Sequence, residues 1–498
     1  MSTTSAPPAS TPAPATPLDL DNIQGDLLSG LPKKTQTYFF FAITNVAKFR
    51  HHLHKLVPYI KTVAGVLKDR DAIDHHKKNK HPGLVPMTGV NISFSHKGFV
   101  KLGIDDSSLA PLGDEDPFKT GQQVDAVTNL GDPKKSDGKP DWDSHFLEDI
   151  HGLILISGES HLSVEKKELE IELLFGVHTL EASIKKIIAI RGDVRPGAES
   201  GHEHFGFLDG ISNPAIIGFD KNPDPGPVPV QPGVLLTGQN GDNKADGTPN
   251  TRAPWATDGS FLAFRYLFQQ VPEFDEFLKK NPIAKDGNGN VLTPEAGSDL
   301  LGARMVGRWK SGAPIDLAPF KDDPVLAADP KRNNDFFFQG EINSQLRCPF
   351  AAHVRKTNPR NDLEAPPSGI APIPIESRRI MRRGIQFGPE LTKHENTSGK
   401  TEHGRGLLFA CYQSSIPNGF QFLQQSWANN DKFPPFETQP EDPGLDPLIG
   451  QGVRAMSGLD PLAEQKVLAM PQFIIPKGGE YFFAPSIKGL KDTIAAAA

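Results

Sequence analysis

The chain has 498 residues, with 53 basic and 60 acidic side chains and a formal net charge of −7. That length supports two or three domains around a large core, and the acidic balance without a long basic tract argues against nucleic acid as the main partner. Two cysteines, Cys348 and Cys411, allow at most one disulfide and exclude a four-thiolate zinc or iron–sulfur site, and no apolar run reaches the roughly 18 residues that cross a bilayer.

Residues 1–17, MSTTSAPPASTPAPATP, are rich in Pro, Ser, Thr and Ala, lack the apolar stretch of a secretory signal and read as a disordered tail. Sequons at Asn91-Ile92-Ser93 and Asn396-Thr397-Ser398 are compatible with export. Order is expected from Leu18. TYFFFAIT (37–44) is aromatic and β-branched and reads as a buried strand. After it, Val46, Phe49, Leu53, Leu56 and Ile60 recur at helical spacing. Further strands are expected at 87–96, 151–158 and 185–193, between loops dense in Asp, Gly, Lys and Pro. A Pro- and Gly-rich stretch at 220–250 then precedes a restart. GSFLAFRYLFQQ (259–270) repeats the aromatic strand, and VPEFDEFLKKNP repeats the amphipathic helix. Strands at 378–389, 404–413 and 480–486 and a helix at 420–430 complete the second half. Strands and helices do not alternate regularly, which favours an α+β fold with antiparallel sheets, divided at 18–219 and 220–498.

Three stretches carry chemistry. In HEHFGFLDGISNP (202–214), Gly206 and Gly210 fence Asp209 in a loop that could press against a flat body; the competing reading is a turn whose Asp caps its own backbone. His202 and His204, two apart, could also face a metal. In CPFAAHVRKTNPRND (348–362), His353 follows the small pair Ala351 and Ala352 and precedes Arg355, Lys356 and Arg360. Imidazole is a good iron ligand and guanidinium groups bind carboxylates, although a loop histidine beside a solvated basic run has the same pattern. Cys348 is the alternative thiolate ligand, with burial as its commoner fate. In SRRIMRRGIQFGP (377–389), strand alternation sets Arg382 with Ile380 and Gly384 and turns Arg383 the other way. The same alternation groups Leu407, Phe409 and Cys411 as a pocket wall or a core face.

GFLDG at 206–210, His353 within CPFAAHVRK and Arg382 within RIMRRG stand in the order of three family motifs, and the chain resembles the dye-decolorizing peroxidases, haem enzymes of the dimeric α+β barrel type, in their larger fungal subtype. The resemblance implies two ferredoxin-like halves, the second binding one non-covalent haem b, since Cys-x-x-Cys-His is absent. It implies that Asp209 is the acid–base residue, Arg382 its partner and His353 the axial iron ligand. Asp446 would accept a hydrogen bond from that imidazole, Arg360 would contact a propionate, and Leu407 and Phe409 would line the peroxide side. Trp427, in QQSWANN, matches a surface oxidation site, with a partly buried packing tryptophan as the competing reading, while Phe387 replaces a tyrosine that would offer a second one. The implied reaction oxidises dyes, phenols and lignin-related aromatics, with Mn(II) as a further reductant, by H2O2 through a ferryl and porphyrin-radical state. An acidic optimum, extracellular action and a monomer or homodimer accompany it. The alternative is a haem-handling protein with little turnover.

Overall fold

The computed structural model describes residues 17–226, 228–338, 344–364, 371–435, 442–452 and 454–496, so the expected N-terminal tail lies almost wholly outside the described residues. In chain order the strands are β1 (Thr35–Ile43), β2 (Thr88–Phe94), β3 (Gly152–Gly158), β4 (Ile184–Asp193), β5 (Ala215–Ile216), β6 (Pro229–Val230), β7 (Ser260–Gln269), β8 (Met381–Arg382), β9 (Ile385–Phe387), β10 (Gly406–Gln413), β11 (Ala455–Met456), β12 (Leu468–Ala469) and β13 (Ile474–Ala484).

Nine of these strands form one sheet in the order β4-β1-β3-β2-β13-β7-β10-β8, with β9 also on β10. Its pairings are antiparallel, as expected. The first half contributes β4-β1-β3-β2 and the second β13-β7-β10 with its two short neighbours. The halves meet at β2 and β13, where Phe94 pairs with Phe483.

Both faces of this sheet are covered. Phe39 and Phe41 enter one apolar cluster while Tyr38 and Phe40 enter the other, which is why β1 is apolar without alternation from Tyr38 to Ile43. On the first face the helix Val46–Leu56 buries Phe49, Leu53 and Leu56, and Asn45 caps it by accepting from the Lys48 N–H at 3.0 Å. The restart after residue 250 is real: β7 is followed by the helix Val271–Lys280, which buries Val271, Phe274 and Leu278. A third apolar cluster joins this helix to the helix Pro294–Val306 and to the His353 segment.

Two expectations need correction. The segment 378–389 is two short strands separated by Arg383 and Gly384, and the backbone at Gly384 runs so close to β10 that a Cβ there would lie 2.7 Å from the Leu408 carbonyl oxygen. Residues 420–430 form a short α-helical turn followed by a π-helix, Leu423–Ala428. Asn91 sits buried inside β2 and donates to the Lys61 and Val90 carbonyls at 2.8 and 2.7 Å, whereas Asn396 is exposed on a helix.

Candidate functional site

A cavity of about 290 Å³ opens between the second half of the sheet and the third apolar cluster, and it brings together Asp209, Arg382, His353, Arg360, Leu407 and Phe409. Each reaches it from a different element. Asp209 stands in a loop tied by the Asp209 N–H donating to the Gly201 carbonyl at 3.0 Å and the Leu208 N–H donating to the Lys310 carbonyl at 3.1 Å. The half-buried Glu203 accepts from the Phe205 and Phe207 N–H groups at 2.9 Å each, which folds the loop back on itself. Gly206 and Gly210 have φ of +91° and +80°. A Cβ on Gly210 would meet no described protein atom within 4 Å and one on Gly206 only the end of Lys310, so what the protein itself asks of these glycines is the left-handed backbone.

Arg382 lies on β8 opposite Cys411. Its guanidinium donates to Asp209 Oδ1 at 2.7 Å and to the Ser212 carbonyl at 3.1 Å. Arg383 points the other way, as alternation predicts, and bonds the Asp26 and Leu28 carbonyls. Asp209 Oδ1 also accepts from the Gly210 N–H at 2.6 Å, and Oδ2 has no hydrogen-bond partner among the described residues. Burial pushes the Asp209 carboxyl up, but the charge and hydrogen bond of Arg382 outweigh it and hold the group below its ordinary value. One oxygen is therefore anchored and the other available, in an ionised carboxylate facing a cavity.

His353 begins the short helix His353–Thr357, and its Nδ1 lies 2.8 Å from Asp446 Oδ2. Asp446 is fully buried, and its other oxygen accepts from the Leu448 and Ile449 N–H groups at 2.8 and 3.0 Å. Burial pushes this carboxyl up as well, yet His353 and the backbone donors keep it below the usual range. An ionised Asp446 takes the Nδ1 proton as a hydrogen bond, so Nε2 carries the lone pair. Ala351 and Ala352, expected to clear room for a planar ligand, are instead fully buried in the core cluster, and Val354 faces the cavity. Cys348 is buried away from the lining, so the thiolate alternative is not brought to the site. Leu407 and Phe409 line the cavity, while Cys411 belongs to the core, where burial pushes its thiol far up.

Arg360 has an unusual φ of +49° and is bound by the Asn334 and Phe336 carbonyls, with its Nε buried and unpartnered. Burial and the neighbouring Arg308 and Arg379 lower it to about 9. Arg308 and Arg379 also line the cavity and were not singled out in the sequence; Arg379 makes no side-chain hydrogen bond among the described residues. Three crowded guanidinium groups, one of them unpartnered, form a ready anion site. His204 Nε2 lies 2.8 Å from the Phe387 carbonyl, which gives that ring a structural partner.

Trp427 is corrected from a surface position to a buried one: it is 5% exposed, stacked on Phe433 at 5.0 Å and edge-on to Phe422 at 5.5 Å. The polar residues of QQSWANN share its helix, while the covering rings flank it, Phe422 just before the π-helix and Phe433 beyond it. Its π-helix supports the site, since the Ala428 carbonyl accepts from the Asp446 N–H at 2.9 Å. Trp427→Ala is accordingly expected to cost about 3–5 kcal/mol in equilibrium urea unfolding, whereas a surface tryptophan would change stability by about 0.5 kcal/mol or less.

Known proteins resemble this chain over nearly its whole length. Residues 22–196 match the DyP dimeric alpha+beta barrel domain and residues 304–440 the C-terminal domain of Dyp-type peroxidases. A dye-decolorizing peroxidase of Auricularia auricula-judae is 42% identical over 98% of this chain and 89% of its own length. A solved ancestral D-type dye-decolorizing peroxidase is 58% identical, covers 97% of this chain and all of its own, and superposes with a TM-score of 0.89. A dye-decolorizing peroxidase solved with 2,6-dimethoxyphenol is 44% identical over 96% of this chain and all of its own, with a TM-score of 0.83. The chain belongs to the dye-decolorizing peroxidase family of haem enzymes.

Proposed function

We propose that the cavity holds one non-covalent haem b per chain and that the protein uses H2O2 to oxidise anthraquinone-type dyes, phenols and lignin-related aromatics, with Mn(II) as a further reductant. The observation that carries this reading is the presence, in one cavity, of the Asp209–Arg382 pair and of a histidine whose Nδ1 is held by a buried aspartate. The donor set fits the group. His353 Nε2 offers an unshared lone pair to iron, the aliphatic and aromatic lining suits a macrocycle, and Arg379 with Arg360 suits propionate carboxylates. When bound, haem supplies the redox chemistry of peroxide reduction.

The protein's own part is proton handling and positioning. Asp209 takes a proton from peroxide through Oδ2 and returns it to the departing oxygen, so that water leaves. Arg382 steadies the negative charge that develops on that oxygen. Asp446 is a positioning residue that fixes the tautomer and orientation of His353. Leu407 and Phe409 keep the cavity narrow and apolar. Bulky dyes would not pass into such a cavity, and the buried Trp427 gives them little to touch, so an electron route through it needs a neighbouring contact. A haem carrier would need only the ligand and the anchoring arginines, so the Asp209–Arg382 pair favours turnover over the haem-handling alternative. We read the ordered chain as two halves, 18–219 and 220–498, acting outside the cell as a monomer or homodimer. Among the described residues no helix is long and apolar enough to cross a membrane.

The test is the visible spectrum of the hemin-supplemented chain before and after one equivalent of H2O2 at mildly acid pH. A Soret band should form, move on peroxide addition and return when a phenol is added. A band unmoved by peroxide would favour haem handling, and absence of a band would defeat the haem assignment for this cavity.

A further inference from the structure

Arg382 is carried by a strand too short to hold it. β8 has two residues at the end of the sheet, and its ladder with β10 sets Cys411 opposite Arg382 and Tyr412 opposite Met381. The rest of its support comes from the start of the chain. Among the described residues none before Glu203 lines the cavity, yet residues 23–33 lie behind β8, with Ile23, Leu27, Leu28 and Leu31 in the same apolar cluster as Met381 and Tyr412. Arg383 turns onto this segment. Its Nε donates to the Asp26 carbonyl at 3.0 Å and one terminal nitrogen to the Leu28 carbonyl, while the other reaches back to the Arg382 carbonyl at 3.3 Å. Lys33 Nζ donates to the Arg383 carbonyl at 2.6 Å and to Gln36 Oε1 at 2.9 Å. Two consecutive carbonyls, those of Arg382 and Arg383, are therefore each held by a cation.

The segment is shaped for this contact. Gly30 has φ of +73°, and a Cβ there would lie 2.9 Å from Arg383 Nε, so glycine lets the backbone close over the guanidinium. Asp26, 1% exposed, accepts from the Leu31 N–H and the Tyr412 hydroxyl at 3.0 Å each, which closes the turn beneath Arg383 and ties it to β10. Apolar side chains alone would attach the segment to β8 without drawing two cations out of water, which is unfavourable; burial lowers both, Lys33 to about 8. What the cations add is direction. A hydrogen bond to a carbonyl favours the plane of its peptide, and from that peptide the Arg382 side chain must leave toward Asp209 Oδ1, 2.7 Å from its guanidinium.

We propose that Arg383 and Lys33 are positioning residues of the peroxide reaction, a clamp that joins the start of the chain to β8 and aims Arg382 at Asp209 and at the peroxide oxygen. The inference rests on the reading of Asp209 and Arg382 as the proton-handling pair. With the clamp in place, the Arg382 N–H is held by Asn213 Oδ1 at 3.0 Å on the cavity side and the two carbonyls are held by cations behind, so the guanidinium has one direction. Without it, β8 keeps its two ladder pairs and Arg382 drifts from Asp209. A misplacement of about 1 Å is enough to lower a rate by about 10²-fold. Asp209 also faces His353 across the cavity and Glu203 from its own loop. Neither replaces a cation at hydrogen-bond distance, so burial then pushes the Asp209 carboxyl up.

The test is stopped-flow and steady-state kinetics of the hemin-loaded full chain with H2O2 across pH, alongside urea unfolding of each variant. Arg383→Met is expected to bind haem with an unchanged resting Soret band, to lose about 10- to 100-fold in kcat/KM for H2O2, to keep its KM for a small phenol and to move the acid limb to higher pH. Lys33→Met should act in the same direction, and Lys33→Arg, which keeps a donor for the Arg383 carbonyl, should restore both rate and limb. Added to Arg382→Leu, Arg383→Met should lower kcat/KM no further, because the side chain it aims is gone. Variants that unfold at lower urea while their folded fraction keeps the parent rate and acid limb would reduce the clamp to a structural tie and overturn the proposal, as would full additivity with Arg382→Leu. If Arg383→Met fails to fold, the two Lys33 variants decide. An Arg382→Leu protein with the parent rate and limb would overturn the reading beneath, whereas a response to Arg382→Leu with none to Arg383→Met or Lys33→Met overturns this inference alone.

Discussion

Asp209→Asn is expected to lower kcat/KM for H2O2 by about 10²- to 10⁴-fold while leaving the Soret band of the resting protein in place. The amide is close in shape and can keep a contact with Arg382, but it cannot accept the peroxide proton. The pH profile gives a sharper check. Arg382 holds the Asp209 carboxyl below its ordinary value, so the base remains ionised, and the pair intact, further into acid than an unpaired carboxylate would. Activity is then present above that lowered value and falls as the pH drops through it. Arg382→Leu removes the opposing charge and leaves burial to push the carboxyl up, so the acid limb should move to higher pH as the rate declines. A pH–rate profile of kcat/KM for peroxide decides the matter, and a limb at the same pH in both proteins would refute the coupling.

His353→Ala should abolish turnover and shift the Soret band, because no second ligand stands ready: Cys348 is buried away from the cavity lining. Asp446→Asn tests the positioning role separately. It preserves size and one hydrogen bond to Nδ1 but removes the negative charge, so the imidazole becomes less anionic and oxidised iron is less well stabilised. Haem should remain bound, its reduction potential should rise, and activity should fall by about 10- to 100-fold. Potentiometric titration alongside steady-state kinetics separates this from simple unfolding, which would lower haem occupancy and leave the potential of the bound fraction unchanged.

The strands that cross the sheet were legible because β1 and β7 are apolar on both faces, a pattern that local composition carries without knowledge of the partner strand. The two halves were legible for the same reason, through the repeated strand and helix. Their junction was not, since Phe94 and Phe483 are 389 positions apart and nothing local marks the pairing. At the site, glycine punctuation and strand alternation made Asp209 and Arg382 candidates beside a self-capped turn and a surface arginine pair, and the order of three family motifs singled them out. The positive φ that these glycines permit is present at both, +91° at Gly206 and +80° at Gly210. Asp446 came from family resemblance, as a carboxylate 93 positions from its histidine has no local signature. For Trp427 the polar neighbours and the family match left a surface site and a packing tryptophan both open, and Phe433, whose ring covers it, lies beyond the helix. Arg379 was overlooked as one of several arginines in a basic run, and only the fold shows that it lines the cavity and makes no side-chain hydrogen bond among the described residues.

The burial of Asn91 within β2 sets a constraint on how the chain is made. In a host that glycosylates its exported proteins, Asn91 is an acceptor only while β2 is still unpaired, and a sugar attached then would occupy the space of the Lys61 carbonyl and the Asp26 N–H that the amide binds in the finished sheet. Pairing of β2 with β3 therefore competes with the transferase. Molecules that lose that race cannot close the first half of the sheet and are left to quality control, so a secreted population selects itself for an unmodified Asn91 and carries any N-linked sugar at Asn396.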